Sequence, residues 1–135
     1  MLRALHIRDF VIVTEAELSF DSGFTVFSGE TGAGKSILID ALALTLGERA
    51  DASVLRTGSA RAEISAVFDV SPTLSQWLTE HDLSAEEALV LRRVVDAQGR
   101  SRGYINGSAV TLTQLREVGE HLVDIHGQHA HQSLL

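Results

Sequence analysis

The sequence contains no cysteine, one lysine, one proline and few aromatic residues. The absence of cysteine excludes disulfide bonds and thiolate metal sites. No segment approaches the roughly 18–20 consecutive apolar residues of a membrane span, and the N-terminus lacks the apolar run of a signal peptide. The formal net charge of −7 argues against a broad basic surface, so any contact with nucleic acid must be local. A hydrophobic fraction of 44% with 21% charged residues indicates a globular domain.

The single lysine lies in a glycine-rich segment that matches the phosphate-loop pattern G-x-x-x-x-G-K-[ST]. Glycines allow backbone N–H groups to surround phosphate oxygens, and the lysine ammonium reaches the β- and γ-phosphates. The hydroxyl of the last residue is suited to binding Mg²⁺. The alternative is a glycine-rich turn with an incidental lysine. The segment consists of Gly29, Glu30, Thr31, Gly32, Ala33, Gly34, Lys35 and Ser36.

The flanking sequence favours the phosphate loop. Residues 24–27 form a short apolar run that predicts a buried strand. Residues 37–46 are largely apolar and predict a helix that ends at Gly47. A strand, a glycine-rich loop and a helix are the arrangement that the pattern requires. We therefore predict nucleotide contacts from residue 29 through Ile37.

The remaining sequence predicts a mixed α/β fold with an antiparallel β-subdomain. Alternating or apolar runs indicate strands at 2–8, 16–20, 62–68, 89–96, 102–105 and 122–125. Short helices are predicted after Ser71 and from Thr111 to residue 120, and the Asn106-Gly107 pair predicts a hairpin turn. The Asp96–Gly99 segment matches the D-x-x-G element of GTPases, but a turn is the favoured interpretation. The pair Arg92-Arg93 is predicted to lie on a solvated edge, with a DNA contact as the lesser alternative.

Four segments resemble the RecN family of bacterial DNA-repair ATPases, which belongs to the SMC-like ABC class. They are GETGAGKSILIDAL at 29–42, LHIRDF at 5–10, RSRGYING at 100–107 and DIHGQHAHQSLL at 124–135. The resemblance extends over essentially the whole chain. It implies that residues 1–135 are the N-terminal lobe of a split ABC-type ATPase head, without the coiled coil and the C-terminal lobe.

The resemblance also implies site residues and cofactors. Gln128 matches the Q-loop glutamine, which together with Ser36 would hold Mg²⁺ beside ATP. Arg8 and Phe10 lie where SMC-like heads approach the nucleotide, and Arg56 follows in the loop after the phosphate-loop helix. Four histidines near the C-terminus offer a metal site as a lesser alternative. They are His121, His126, His129 and His131.

The implied function is that of an ATP-binding lobe in recombinational repair of DNA double-strand breaks. The implied partners are the missing C-terminal lobe, a second head in an ATP-bridged dimer and DNA bound by the full-length protein. No membrane partner is implied, and the implied location is the cytoplasm, near the nucleoid. The sequence has no Leu-Ser-Gly-Gly signature and no apolar strand that ends in Asp-Glu. Because hydrolysis needs such acids, we expect an isolated chain not to turn ATP over. The alternative is a non-catalytic nucleotide-sensing or protein-docking module.

Overall fold

A computed structural model describes residues 2–19, 32–83 and 88–122, with the side chains of α1 described from Ser36 onward. These parts of the chain contain six strands and three α-helices. The strands are β1 (Leu2–Phe10), β2 (Val13–Ser19), β3 (Arg61–Asp69), β4 (Ala88–Asp96), β5 (Ser101–Ile105) and β6 (Ser108–Val110). The helices are α1 (Gly32–Thr45), α2 (Pro72–Glu80) and α3 (Leu112–Leu122).

The six strands form one sheet in the order β2-β1-β3-β4-β5-β6, and each neighbouring pair among these described strands is antiparallel. One face of the sheet is buried and the other is polar. In β3, for example, Ile64 and Phe68 are fully buried, whereas Glu63 and Ser65, on either side of Ile64, are half-buried on the outer face. This alternation is the period-two pattern that an antiparallel sheet with one solvated face requires.

The inner face of the sheet packs against the helices to form one core. Helix α1 lies against β3 and β4, and α3 lies against β5 and α2. Trp77 of α2 is almost completely buried in this core, where its ring stacks on His81 with 4.0 Å between centroids. Trp77 is therefore a core residue. Core side chains from the helices include Leu38, Leu42, Leu74, Leu78, Leu115 and Val118.

Local capping interactions follow the sequence signals. The Ser71 hydroxyl accepts a hydrogen bond from the Leu74 N–H at 3.1 Å and so caps α2. Thr111 and Gln114 form a reciprocal capping box, with distances of 3.1 and 3.0 Å between side-chain oxygen and backbone nitrogen. The Asn106-Gly107 turn has positive φ at both positions, 49° and 87°, as a type I′ hairpin requires.

The predicted fold class is confirmed, but several boundaries differ: β2 begins at Val13 and not at residue 16, and α3 extends to Leu122. The strands and helices predicted within the described residues are present, and the D-x-x-G segment forms a turn in which Asp96 Oδ1 accepts the backbone N–H groups of Gln98 and Arg100. Leu122 is the last residue of α3 and does not begin a strand as predicted. The predicted strand at 24–27 and the remainder of the strand at 122–125 lie outside the described residues.

Candidate nucleotide-binding site

Helix α1 begins at Gly32, inside the phosphate-loop motif. The first N–H groups of a helix have no partner within the helix, and its dipole places partial positive charge at that end. No acidic residue occupies the first turn of α1. Ser36 is exposed and Ile37 is half-buried. The start of α1 is therefore chemically suited to an anion such as a phosphate.

The other predicted residues of this loop stay predictions. Gly29, Glu30 and Thr31 lie outside the described residues, as does Gln128, the predicted second Mg²⁺ ligand. The side chains at positions 32–35 are likewise outside the description. Backbone helicity at these positions is described, and it agrees with the loop-to-helix order that the motif requires.

Helix α1 is fixed to the sheet along its length by its buried face. Leu38, Ala41, Leu42 and Leu44 are at most 5% exposed. The hydroxyl of Thr45 is also buried and donates a hydrogen bond to the Leu42 carbonyl at 2.7 Å. These contacts restrict movement of the helix whose first turn carries the motif.

The C-terminus of α1 is closed by a Schellman motif. Gly47 adopts a φ of +100°, and its N–H donates to the Leu44 carbonyl at 3.2 Å. The Glu48 N–H donates to the Ala43 carbonyl at 3.2 Å. Arg116 of α3 adds a hydrogen bond from Nε to the Gly47 carbonyl at 3.1 Å. The helix therefore ends at the predicted glycine, by the pair of hydrogen bonds typical of that motif.

Arg93 makes the main hydrogen-bonded connection between the C-terminus of α1 and the sheet. It is fully buried, and its Nη1 donates to the carbonyls of Leu44 and Glu48, both at 2.7 Å. Its Nε and Nη2 donate to the Ser101 hydroxyl at 3.3 and 3.0 Å. Burial, with repulsion from Arg116 as a smaller cause, lowers the pKa of the Arg93 guanidinium. The negative end of the helix dipole compensates the buried charge.

The prediction that Arg93 lies on a solvated edge is therefore wrong. A guanidinium can be buried here because five donors in a planar fork match several oxygen acceptors at once. Arg92, its neighbour, does lie on the outer face, where its side chain is 41% exposed and pairs with Glu63 at 3.1 Å. The prediction thus holds for one member of the pair only.

Two of the three predicted residues near the nucleotide meet at the end of β1. Phe10 forms a bridge with Leu55, and the Arg56 N–H donates to the Asp9 carbonyl at 2.9 Å. The Arg56 Nε also contacts Asp9 Oδ1 at 3.2 Å, so the Arg56 side chain has a local carboxylate partner. Phe10 is 1% exposed and belongs to the core.

The third residue, Arg8, is exposed and pairs in register with Glu15 on β2 and Glu63 on β3. It therefore lies on the outer face of the sheet, opposite the buried Phe10. The hairpin tip that follows is strained, since Asp9 and Val11 have φ of 52° and 55° and a β-branched residue rarely adopts such values. Roles for Arg8, Phe10 and Arg56 in binding a nucleotide stay predictions.

A groove of about 450 Å³ separates this hairpin tip from the second half of α1. Its lining combines apolar side chains at its strand end with charged ones, Asp40 in α1 and Glu48 and Arg49 just after the helix. Sequence reasoning missed this groove because it depends on how the hairpin tip folds over α1. It is lined by Phe10, Val11, Asp40, Ala43, Leu44, Glu48, Arg49, Ser53 and Val54.

In the described ranges, no group of three or more His, Cys, Asp or Glu side chains is arranged to hold a metal ion. Of the four C-terminal histidines only His121 is described, and its ring lies 5.9 Å from that of Trp77. Among the described helices, none has the length and apolarity needed to cross a membrane.

The family model for an AAA domain matches residues 4–115 of this chain. The chain therefore belongs to the AAA-domain family. A solved Smc head domain from Pyrococcus yayanosii, with a coiled coil and joint, has the same fold. It is similar over 96% of this chain and 27% of its own length, with a TM-score of 0.74 and 20% identity.

Within this class, the chain is similar to RecN proteins. It is 52% identical over 137 residues to the DNA repair protein RecN of Xylella fastidiosa and 47% identical over 137 residues to RecN of Vibrio cholerae. Both matches cover the whole of this chain. The predicted resemblance to RecN is thereby confirmed. The chain spans about a quarter of the length of these curated relatives, 25% in each case.

Proposed function

We propose that this chain is the N-terminal, ATP-binding lobe of a RecN-type ATPase head that acts in recombinational repair of DNA double-strand breaks. Membership of the AAA-domain family and identities of 47–52% with RecN proteins support the proposal. The observation that carries it is the start of α1 at Gly32, within a complete G-x-x-x-x-G-K-S motif.

Each residue of the motif has a defined task under this proposal. Backbone N–H groups from position 29 onward and the first turn of α1 would surround the phosphates. The Lys35 ammonium would neutralise charge on the β- and γ-phosphates. The Ser36 hydroxyl, exposed at the start of the helix, and the Gln128 amide oxygen would hold Mg²⁺, which when bound neutralises phosphate charge.

The remaining parts of the reaction belong to other polypeptide segments. Hydrolysis needs an acidic pair at the end of an apolar strand, and this sequence has no apolar strand that ends in Asp-Glu. We propose that a C-terminal lobe supplies it, and that a second head contributes the Leu-Ser-Gly-Gly segment across an ATP-bridged dimer. Binding of DNA by the whole protein, in the cytoplasm, completes the proposed role. The isolated chain is expected to bind ATP without turning it over.

Calorimetric titration with ATP and Mg²⁺ tests the site. The unaltered chain is expected to bind, and Lys35→Ala is expected to bind at least about tenfold more weakly, equivalent to about 1.4 kcal/mol. Arg3→Ala is the matched control, since it removes one positive charge at Arg3, which pairs with Asp69 on the sheet. Equal ATP affinity in the unaltered chain and Lys35→Ala would remove the phosphate-loop assignment.

A second experiment separates the ATPase proposal from a nucleotide-sensing module. The chain is mixed with a C-terminal lobe from a RecN relative, and phosphate release is measured. ATP turnover that depends on both polypeptides and on Lys35 supports the split-head proposal. ATP binding without turnover in the mixture favours the non-catalytic alternative.

A further inference from the structure

We propose that Arg93 and Arg116 are positioning residues for the phosphate site, because they set where α1 lies along its own axis. The inference rests on the proposed function, in which the start of α1 binds the phosphates of ATP. Both arginines donate hydrogen bonds to carbonyls at the opposite end of the helix. With a rise of roughly 1.5 Å per residue, Leu44 at that end lies about 18 Å along the axis from Gly32.

Hydrogen bonds define the axial position of α1 more sharply than its apolar packing does. Burial of apolar surface is non-directional, so a small shift along the axis changes the buried area of leucine and alanine side chains only slightly. A hydrogen bond depends on distance and angle and therefore specifies a position. In the part of α1 whose side chains are described, and in the three residues after it, every hydrogen bond to another element comes from Arg93 or Arg116. The acceptors are the carbonyls of Leu44, Gly47 and Glu48.

Arg93 is itself held firmly by the sheet. It is fully buried in β4, an interior strand, and its Nε and Nη2 donate to the Ser101 hydroxyl of β5 at 3.3 and 3.0 Å. Its remaining nitrogen, Nη1, donates to the Leu44 and Glu48 carbonyls, both at 2.7 Å. Because a guanidinium is planar and rigid, the position of Ser101 determines where the two carbonyls can lie. Arg93 thereby connects the end of α1 to two strands.

Arg116 makes a second connection, from α3. Its neighbour Leu115 is fully buried at a point where Gly103 of β5 leaves room for it, since a Cβ on Gly103 would lie 2.5 Å from Leu115 Cδ1. This contact fixes α3 on the sheet, and Arg116 Nε then donates to the Gly47 carbonyl at 3.1 Å. Gly47 allows α3 to approach closely, because a Cβ there would lie 3.1 Å from the Leu112 carbonyl oxygen. The end of α1 is therefore held from the sheet and from α3.

A displacement of the C-terminus of α1 is transmitted to its first turn. An α-helix behaves as a stiff rod, because backbone hydrogen bonds join each turn to the next. The backbone N–H groups of the first turn and the Ser36 hydroxyl therefore move with the far end of the helix. Because the groups of a binding site must be held to within roughly 0.5 Å, loss of one connection at the C-terminus weakens phosphate binding while the chain stays folded.

Arg116 is the more informative residue to change, because it is exposed and its replacement leaves the core intact. Arg116→Met keeps the aliphatic stem that packs over Gly47 and removes the donors, whereas Arg116→Lys keeps one donor for the Gly47 carbonyl. Arg93→Lys keeps the charge and removes the planar fork. Arg92→Met is the matched control, since it removes a partly exposed guanidinium of β4 that pairs with Glu63. Circular dichroism and urea midpoints confirm that all variants are folded.

The first measurement is made without nucleotide, by NMR of the isotope-labelled chain. The amide resonances of Ser36 and Ile37 report the surroundings of the first turns of α1. Arg116→Met and Arg93→Lys are expected to displace these resonances, whereas Arg116→Lys and Arg92→Met leave them in place. Unmoved resonances in both Arg116→Met and Arg93→Lys would show that α1 keeps its position without these hydrogen bonds, and would overturn the proposal.

The second measurement is calorimetric titration with ATP and Mg²⁺. Arg116→Met and Arg93→Lys are expected to bind ATP at least about fivefold more weakly than the unaltered chain, and Arg116→Lys and Arg92→Met within about twofold of it. Equal ATP affinity in Arg116→Met and Arg92→Met would overturn the proposal. Absence of ATP binding by the unaltered chain would instead remove the proposed function, and the resonances of Ser36 and Ile37 would still decide whether the two arginines position α1.

Discussion

Arg92 and Arg93 are adjacent in β4 but lie in opposite environments. Arg92 lies on the outer face, partly exposed, with one carboxylate and one aromatic ring as partners. Arg93 lies on the inner face, fully buried, and donates to two helix-end carbonyls and one hydroxyl. The same residue type thus contributes to a solvated charged surface in one case and to the helix–sheet core in the other. The comparison teaches that the face of the sheet on which a strand residue lies decides whether its side chain is buried or exposed. The residue type only sets which partners that side chain needs.

The largest expected effect on stability comes from removing the Arg93 guanidinium, and removal of the Arg92 guanidinium is the comparison. Arg93→Met removes the donor to the part-buried Glu48 carbonyl and leaves the Leu44 carbonyl with only the Gly47 N–H, so we expect it to lower the free energy of unfolding by about 3 kcal/mol. Arg92→Met removes a partly exposed ion pair and should cost less than about 1 kcal/mol. Urea unfolding followed by circular dichroism measures both values.

Arg93→Lys refines this comparison. It keeps the positive charge but cannot donate in the planar fork, so it is expected to fall between the unaltered protein and Arg93→Met. Equal costs for Arg92→Met and Arg93→Met would contradict the assignment of the two residues to different environments.

The next largest effect is expected from replacing two glycines that have positive φ. Gly47 lies at the end of α1, and Gly107 lies in the hairpin turn between β5 and β6. A Cβ at Gly47 would lie 2.5 Å from Arg116 Cγ and 3.0 Å from the Arg116 backbone nitrogen, and φ is +100°. At Gly107, φ is +87° and no atom lies within 4 Å of such a Cβ. We expect Gly47→Ala to cost about 2 kcal/mol and Gly107→Ala about 1 kcal/mol, because only the first adds a clash to the backbone strain.

Thermal unfolding of the two variants measures this difference. A Gly107→Ala variant less stable than Gly47→Ala would show that the end of α1 is less tightly packed than described. Such a result would also weaken the view that Arg93 and Arg116 form a rigid end for the helix.

The smallest expected effect is on the loss of stability at acid pH, and it concerns Asp96 on the outer face of the sheet. Partial burial would raise the pKa of Asp96, but hydrogen bonds from the backbone N–H groups of Arg100 and Gln98 and the charge of Arg100 lower it below its ordinary value of 3.8. A carboxylate whose pKa is lower in the folded state contributes stability above the unfolded value, and this contribution is lost as pH falls through the folded value.

The free energy of unfolding of Asp96→Asn should therefore fall less than that of the unaltered chain between about pH 4 and pH 2. Near pH 7 the free energy of unfolding should change with pH to a similar extent in both proteins. Unfolding by urea across this pH range measures it. Identical acid dependence in both proteins would show that the Asp96 hydrogen bonds have no net effect on its ionisation.

Much of this fold was predictable, because local signals and tertiary packing agree. Alternation in β3 and β4, the Ser71 and Thr111 caps, and the glycine at position 47 each predicted a feature that the structure confirms. Arg93 was the exception. Its position two residues from Leu91 and two from Val95 indicated the buried face, but its charge suggested solvent, since arginine is rarely buried.

The candidate site was predictable only in part. The phosphate-loop motif is contiguous in sequence, so its chemistry follows from residue types and spacing. The association of Phe10, Asp9 and Arg56 arises between segments more than forty residues apart, as does the buried tie from Arg93 to the end of α1. Neither has a local sequence pattern, because both depend on how α1 and the following loop pack on the sheet.

The central claim is that the segment from Gly29 to Ser36 binds ATP phosphates, and the single lysine allows a direct measurement of it. The chain is acylated with a lysine-directed reagent, and mass spectrometry follows modification of Lys35 with Mg²⁺ and either ATP or adenosine. The N-terminal amine serves as the internal reference. We predict that ATP slows modification of Lys35 at least about tenfold relative to adenosine, with no change at the N-terminus. Equal rates of Lys35 modification with ATP and adenosine would contradict the claim.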